Sequence, residues 1–506
     1  MGRLRVTCLP LAALLVAAVM ATPALGAASG VVVNGPEGLS PRSDGLVSDL
    51  GVGWVRLYVS WSTFEPGRGH LNQEQVEALE RGLAGLPQGA RVIVDVVHTP
   101  AWESGSTDQS APPRNPADYA AFIGAMAKRF AGRVAAWEIW NEEDAPIWWT
   151  GAPDPAAYTA LLRAAYPAVK AGDPHATVVL GGMTGNDYEF LNQLYEHGAK
   201  GSFDAVAVHT DDICNKLSPY EYLRNDPRGS YPGQINRWAF LGYRTVHEVM
   251  LAHGDNSPIW MTELGWSTYS RVCNSGAWAG QTAGGVSPQQ QASFLSQAYH
   301  CLAQDPYVQV GIWFGLQDTE PFDNPRGQYG LLDSSLTPKP AYGALSDYAH
   351  NGDRLTEPCG NFSGPAITLV HPAQGGRYTG ELSITVSASD PFGVHQISLY
   401  HDGILIRNFT AYPATPTLTG HMRWFGSLKI SPGKHVLTVK AEDEKGNVSS
   451  ASFVIYHGAG RPSAKRHPCS TAHHARKHAR RAHNAKHHAR RACKSRTKHH
   501  SRTKHH

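Results

Sequence analysis

Val134-Ala135-Ala136-Trp137-Glu138-Ile139-Trp140-Asn141-Glu142 is an apolar, β-prone run that ends on an acid. Ser257-Pro258-Ile259-Trp260-Met261-Thr262-Glu263 ends the same way, and Arg91-Val-Ile-Val-Asp-Val-Val97 is almost unbroken in its apolarity. Runs of this kind fit strands buried on both faces of a parallel sheet. Working outward, strands are expected at 30–34, 54–60, 91–97, 134–141, 177–182, 204–209, 258–263 and 308–314. Helical stretches fall between them, at 73–86, 116–130, 155–171, 187–197, 237–253 and 288–303. Asn115 is a suitable N-cap with Pro116 in the first turn. Eight strand–helix units over about 320 residues predict an α/β fold, a (β/α)₈ TIM barrel at 27–352. A doubly wound open sheet is the alternative, but no Gly-rich phosphate loop follows the first strand.

In such a barrel, reactive groups gather at the C-terminal ends of the strands. Glu142 closes the fourth strand and Glu263 the seventh, 121 residues apart, which leaves room for strands five and six. Two carboxylates facing each other across a sugar form the arrangement that breaks a glycosidic bond. Thirteen Trp and 20 Tyr suit sugar stacking, although both are also ordinary core residues. Trp102, after the third strand, is a candidate platform, and Trp148, Trp149 and Trp266 are further cleft candidates.

These motifs resemble those of clan A glycoside hydrolases, most closely family 39 and the neighbouring cellulase-type families, over about residues 30–350. Trp137–Glu142 is similar to the fourth-strand Asn-Glu motif, and Trp260–Trp266 to the nucleophile motif of strand seven. The resemblance implies a retaining mechanism, with Glu142 as acid/base and Glu263 as nucleophile. It implies that Arg56 holds Glu263 ionised, that Asn141 binds the sugar 2-hydroxyl, that His209 lies in the substrate site, and that Trp313 is a sugar platform. In this reading ionised Glu263 raises the pKa of Glu142, and Glu138 is a supporting acid. The chain departs from the pattern twice. Glu143 stands where Pro is usual, and Thr210-Asp211-Asp212 follows His209 where a tyrosine for the nucleophile is expected. Tyr220 or Tyr222 is the expected replacement. The chemistry requires no metal and no organic cofactor. A noncatalytic carbohydrate-binding protein and a transglycosylase are the rival readings.

The flanks add context. Arg3, Arg5, an apolar run at 9–20 and Ala24-Leu25-Gly26 read as a secretory signal over 1–26, with no later membrane span. Its removal leaves six cysteines, an even number suited to an exported, disulfide-bonded chain. Spacing alone does not fix their pairing; the architecture favours Cys214–Cys273, Cys301–Cys359 and Cys469–Cys493. After a linker at 353–364, residues 365–457 switch to short alternating strands at 382–389, 394–401, 434–440 and 451–456, an immunoglobulin-like β-sandwich pattern. The stretch 441–447 resembles a loop of bacterial immunoglobulin-like modules.

Residues 458–506 form a tail rich in His, Lys and Arg, expected to be disordered. It holds 15 Lys and Arg with no acid, while the preceding residues hold 30 against 42 Asp and Glu. The net charge of +3 therefore hides an acidic body with a basic tail. The expected partners are a carbohydrate substrate and, through the tail, an anionic cell-wall polymer, with no designed nucleic-acid partner. Eleven tail histidines invite a weak metal-binding reading, second to that of a solvated basic segment.

Overall fold

The computed structural model describes residues 26–33, 41–211, 214–225, 229–274, 279–280, 282–319, 325–360, 362–425 and 432–458. The signal segment up to residue 25, the tail from 459 and the Cys469–Cys493 pair lie outside the described residues.

Eight parallel strands close into a barrel in sequence order. They are β1 (Ala28–Val33), β2 (Trp54–Ser60), β3 (Arg91–Val97), β4 (Ala136–Asn141), β5 (Thr177–Met183), β6 (Ala205–Thr210), β7 (Ile259–Leu264) and β8 (Val308–Trp313). β1 pairs with both β2 and β8, which closes the ring. Almost every strand residue is buried because one face packs into the barrel and the other against helices. Val32, Trp54, Ile93, Val179, Trp260 and Ile312 belong to the cluster that fills the interior.

The helices begin where the sequence offers caps. Asn72, Asn115, Asp154, Asp187 and Ser287 each accept backbone N–H groups at a helix start. Each such cap contributes about 1 kcal/mol. The expected helix 237–253 forms only over Tyr243–Ala252, after a short 3₁₀ turn, because Arg237 is held by Asp144 and Asp187. Helices Pro41–Leu50 and Pro340–Asn351 were not expected.

Two of the expected disulfides are present, Cys214–Cys273 and Cys301–Cys359. The first joins the loops that follow β6 and β7, on the reactive face of the barrel. The second fastens the linker to helix Pro288–Gln304, aided by the contact of His300 with Asp353 at 2.7 Å. Among the described residues, no helix is long and apolar enough to cross a membrane.

The C-terminal domain is a six-stranded sheet: β9 (Ala366–His371), β10 (Arg377–Tyr378), β11 (Glu381–His401), β12 (Ile404–Phe425), β13 (Gly433–Asp443) and β14 (Val448–His457). The two strands expected at 382–389 and 394–401 are one, β11, which changes partners at an irregularity. Its first half pairs with β9 and its second half with β13, while β12 follows it throughout. Leu382, Ile384, Val386 and Ala388 alternate into the core with Leu437, Val439 and Ile455. The loop at 441–447 docks on the barrel: the Tyr222 hydroxyl lies 2.5 Å from Asn447 Oδ1, and Gly446 packs on Arg224.

Candidate active site

Arg56, on β2, is fully buried and reaches four acceptors at the C-terminal mouth of the barrel. It donates to Glu138 Oε2 and Glu263 Oε1, each at 2.6 Å, and to Asp95 Oδ2 and Asn141 Oδ1, each at 3.0 Å. Burial works against its charge, but Glu138, Tyr58, Glu263 and Asp95 outweigh that and raise its pKa well above the usual value. The bond to Asn141 fixes the orientation of that amide. One guanidinium cannot balance every surrounding acid. Burial accordingly drives the Asp95 pKa well up, against the pull of Arg56.

Glu263 receives a second donor, the hydroxyl of Tyr58, on the same Oε1 that Arg56 holds. The expected replacements are elsewhere: Tyr220 donates to Glu357 and Tyr222 to Asn447. Strand alternation supplies a signal for Tyr58, since residues i and i+2 share a face and Arg56 already points inward.

Glu142 follows β4 directly, with its N–H on the Gly182 carbonyl and a left-handed φ of 44°. For a residue with a side chain this backbone costs on the order of 1 kcal/mol, and it turns the carboxyl into the mouth. Its side chain is 18% exposed, against 4% for Glu263. Burial raises the pKa of Glu142 to about 7, opposed by Arg326, Arg56 and a hydrogen bond from Trp148. Glu263 is also raised to about 7, mainly by burial, opposed by His209 and Arg56 and reinforced by Asp211 and Glu142. Burial, rather than the neighbouring carboxylate, is thus the leading cause for Glu142. A carboxylate oxygen from each of Glu142, Glu263 and Asp211 and a nitrogen of His209 all lie within 4.8 Å of one another.

The hydrogen bonds around His209 set its tautomer. Gly182 N–H, Thr262 Oγ1–H and Arg56 all donate to Glu138. Thr262 Oγ1, its proton committed, accepts from His209 Nε2 at 3.2 Å. Burial lowers the His209 pKa, which favours the neutral ring with a lone pair on Nδ1. Nδ1 is 3.1 Å from Glu142 Oε1, a hydrogen bond that needs a proton on Glu142. Gly182 makes room for the ring, since a Cβ there would sit 1.9 Å from His209 Nε2.

Arg56, Asn141, His209, Glu142 and Glu263 therefore come together. Trp313 and Trp102 do not join them. Trp313 is fully buried, with its indole N–H on the Tyr329 carbonyl, so it has no face open to a sugar. Trp102 bonds the Glu65 carbonyl and is capped by the Arg68 guanidinium at 4.6 Å. Trp149 and Trp266 are core residues. Trp148 is half-buried and stacks on Tyr58 and His98 with centroid distances of 6.3 and 5.6 Å. Glu143 is buried off the mouth against Gly181, and among the described residues neither of its carboxyl oxygens has a hydrogen-bond partner. Burial pushes its pKa well up.

A closed parallel barrel with an Arg-anchored glutamate facing a second glutamate defines a glycosidase-type (β/α)₈ domain. Residues 42–276 match the cellulase model of glycosyl hydrolase family 5, and residues 365–439 match the bacterial Ig domain model. The barrel is a clan A, cellulase-family domain, and the protein is a glycoside hydrolase with a C-terminal bacterial Ig domain. No curated protein matches the chain in sequence. Similar solved structures include a family 39 glycoside hydrolase from Bacteroides cellulosilyticus WH2, 17% identical over 79% of this chain and 80% of that one, with a TM-score of 0.49. Another is GH5_18 from Streptomyces cattleya in complex with GlcNAc, 18% identical over 70% of this chain and 84% of that one, with a TM-score of 0.48. A third is the endo-β-1,4-mannanase from Thermotoga petrophila, 13% identical over 87% and 99%, with a TM-score of 0.40.

Proposed function

We propose that the protein is an exported, retaining β-glycosidase acting on a poly- or oligosaccharide, with Glu263 as nucleophile and Glu142 as acid/base. The observation that carries this reading is the close approach of their carboxylate oxygens, within 4.8 Å. Retaining enzymes hold the two groups about 5–5.5 Å apart, whereas inverting enzymes leave about 6.5–9.5 Å for a water.

The hydrogen bonds support these roles. Arg56 and Tyr58 donate to Glu263 and favour its charged form, and His209 Nδ1 favours a proton on Glu142. Glu263 attacks the anomeric carbon while Glu142 gives its proton to the departing oxygen. The glycosyl ester that forms neutralises Glu263. Glu142, now deprotonated, takes a proton from water, the water oxygen attacks the anomeric carbon, and Glu263 leaves as carboxylate. Asn141 meets the 2-hydroxyl, and Trp148 offers the aromatic wall assigned above to Trp313 and Trp102. Export is supported by the Cys214–Cys273 and Cys301–Cys359 disulfides. The tail, with 15 cationic side chains and no acids, attaches the enzyme to anionic wall polymer.

The test is hydrolysis of a panel of β-glucans, xylans, mannans and bacterial exopolysaccharides, with proton NMR of the first-formed anomer. A β product formed first is expected. An α product formed first would overturn retention, and no hydrolysis of any member would favour a binding protein.

A further inference from the structure

We infer that the Ig domain carries a second site, a transition-metal site for a zinc-class divalent cation, built from His401, Asp402 and His435. None of the glycosidase chemistry uses these residues. β11 ends at His401, the chain turns through Asp402-Gly403, and β12 begins at Ile404. Register places His401 opposite Leu437 on β13, so His435, two residues earlier, shares the same face beside the turn.

Asp402 is pinned there by its backbone and its side chain. Its N–H donates to the Val436 carbonyl at 2.9 Å, and its Oδ1 accepts the Val436 N–H at 2.8 Å. Its Oδ2 is thereby aimed at both rings, 2.6 Å from His435 Nδ1 and 3.7 Å from His401 Nδ1. One ligand atom from each of the three residues lies within 4.8 Å of the others. Zinc bound tetrahedrally at about 2.0–2.2 Å spaces its ligand atoms by about 3.4 Å, and the two measured separations bracket that value. Two imidazoles and a carboxylate suit zinc, copper or nickel rather than magnesium or calcium.

Burial and access agree with this reading. Both histidines are only 6% exposed, while the Asp402 side chain, at 44%, leaves a way in. A column of rings continues inward from the site. His435 lies 6.4 Å from His457, and His457 lies 4.9 Å from Tyr378. Among the described residues, His457 Nδ1 and the Tyr378 hydroxyl are buried without a hydrogen-bond partner, and Tyr378 is 8% exposed. Asp402 is close enough to raise the Tyr378 pKa, after burial. Polar atoms are seldom buried unpaired at the edge of an apolar core.

The test uses the full chain, stripped with EDTA and dialysed against zinc chloride at low micromolar free zinc, with metal content measured per chain. The comparison is wild type against full-length His435→Gln and Asp402→Asn. The tail histidines are common to all three, so they cancel in the difference. Wild type should hold one more zinc per chain than either variant, with at least tenfold weaker binding of that ion in the variants. Cobalt should give the visible bands of four-coordinate nitrogen–oxygen ligation in the difference spectrum. Should His435→Gln fail to fold, Asp402→Asn decides, because its amide oxygen can still accept from Val436. Equal zinc content in wild type and a folded Asp402→Asn overturns the site and leaves an Asp–His hydrogen-bonded strut. Glycoside hydrolysis should be unchanged in both variants, which keeps this result separate from the catalytic reading.

Discussion

Tyr58→Phe isolates one hydroxyl at the reacting centre. The ring, its stacking on Trp148 and its contact with the Arg56 guanidinium at 4.8 Å would remain. What would go is the donor to Glu263 Oε1. A hydrogen bond to a charged group contributes about 1.5–3 kcal/mol, and one pKa unit corresponds to about 1.36 kcal/mol. Tyr58 favours the ionised carboxyl, so its loss should raise the Glu263 pKa by about 1–2 units from its value of about 7. The nucleophile must be ionised, so activity falls as pH drops through that pKa. The acid limb of the kcat/KM profile should therefore move up by about 1–2 units, with a loss of about 10–100-fold on its acid side.

The assay is kcat/KM on a small β-glycoside across pH, with thermal melts to show intact folding. Tyr222→Phe is the control, because that hydroxyl meets Asn447 in the Ig domain. An unmoved acid limb in a folded Tyr58→Phe would refute the assignment, as would a Tyr222→Phe profile that shifts in its place.

Glu263→Gln should abolish hydrolysis while keeping the fold. The native Glu263 pKa is raised from 4.5 to about 7, so its contribution is most favourable below the unfolded value and is lost as pH rises through 7. The variant should then gain up to about 3 kcal/mol on wild type near pH 8, less what Arg56 loses, and nothing near pH 4, as read by denaturant melts. Glu142→Ala should be rescued by azide on a substrate with a good leaving group, giving a β-glycosyl azide; an α-azide from a β-glycoside contradicts retention. His209→Phe removes the acceptor that favours protonated Glu142, so the basic limb should fall by about 0.5–1 unit, and an unmoved limb rejects the tautomer derived above. Deleting 459–506 should leave turnover of a soluble glycoside unchanged and weaken retention on anionic wall material at low salt; equal retention of both forms would dismiss the attachment role.

The barrel was legible because its strands are buried on both faces, so composition alone marks them, and because Asn, Asp and Ser caps mark the helices between. Pro41–Leu50 was missed because Ser43 and Gly45 weaken its pattern. β12 was missed for a related reason, since Pro413, Pro416 and Gly420 interrupt it. The continuity of β11 was hidden by Pro391 and Gly393, which a strand tolerates only at an irregularity. At the site, the two glutamates and Arg56 were readable from motif and strand position. Trp313 was misjudged because the end of a strand does not reveal whether its last side chain meets solvent or a neighbouring loop; here the segment at Tyr329 covers it.

What no local motif could supply is the distribution of protons among acids from different strands. Asp95, Glu138 and Glu263 come from β3, β4 and β7 and share one guanidinium. If all three were ionised, the buried cluster would carry an uncompensated excess of negative charge, which burial opposes strongly. Asp95 is the least supported of the three: its Oδ1 is buried without a hydrogen-bond partner among the described residues, and burial drives its pKa well up. Arg56 holds it at 3.0 Å, but holds Glu138 and Glu263 more closely, each at 2.6 Å. Glu138 accepts from Thr262 Oγ1, which lies 3.2 Å from His209 Nε2, and His209 Nδ1 lies 3.1 Å from Glu142 Oε1. The two reactive glutamates, raised alike to about 7 by burial, are thus told apart by their neighbours. In the proposed mechanism, Arg56 and Tyr58 favour the charged form of Glu263, and the hydrogen bonds running from Glu138 to His209 favour a proton on Glu142.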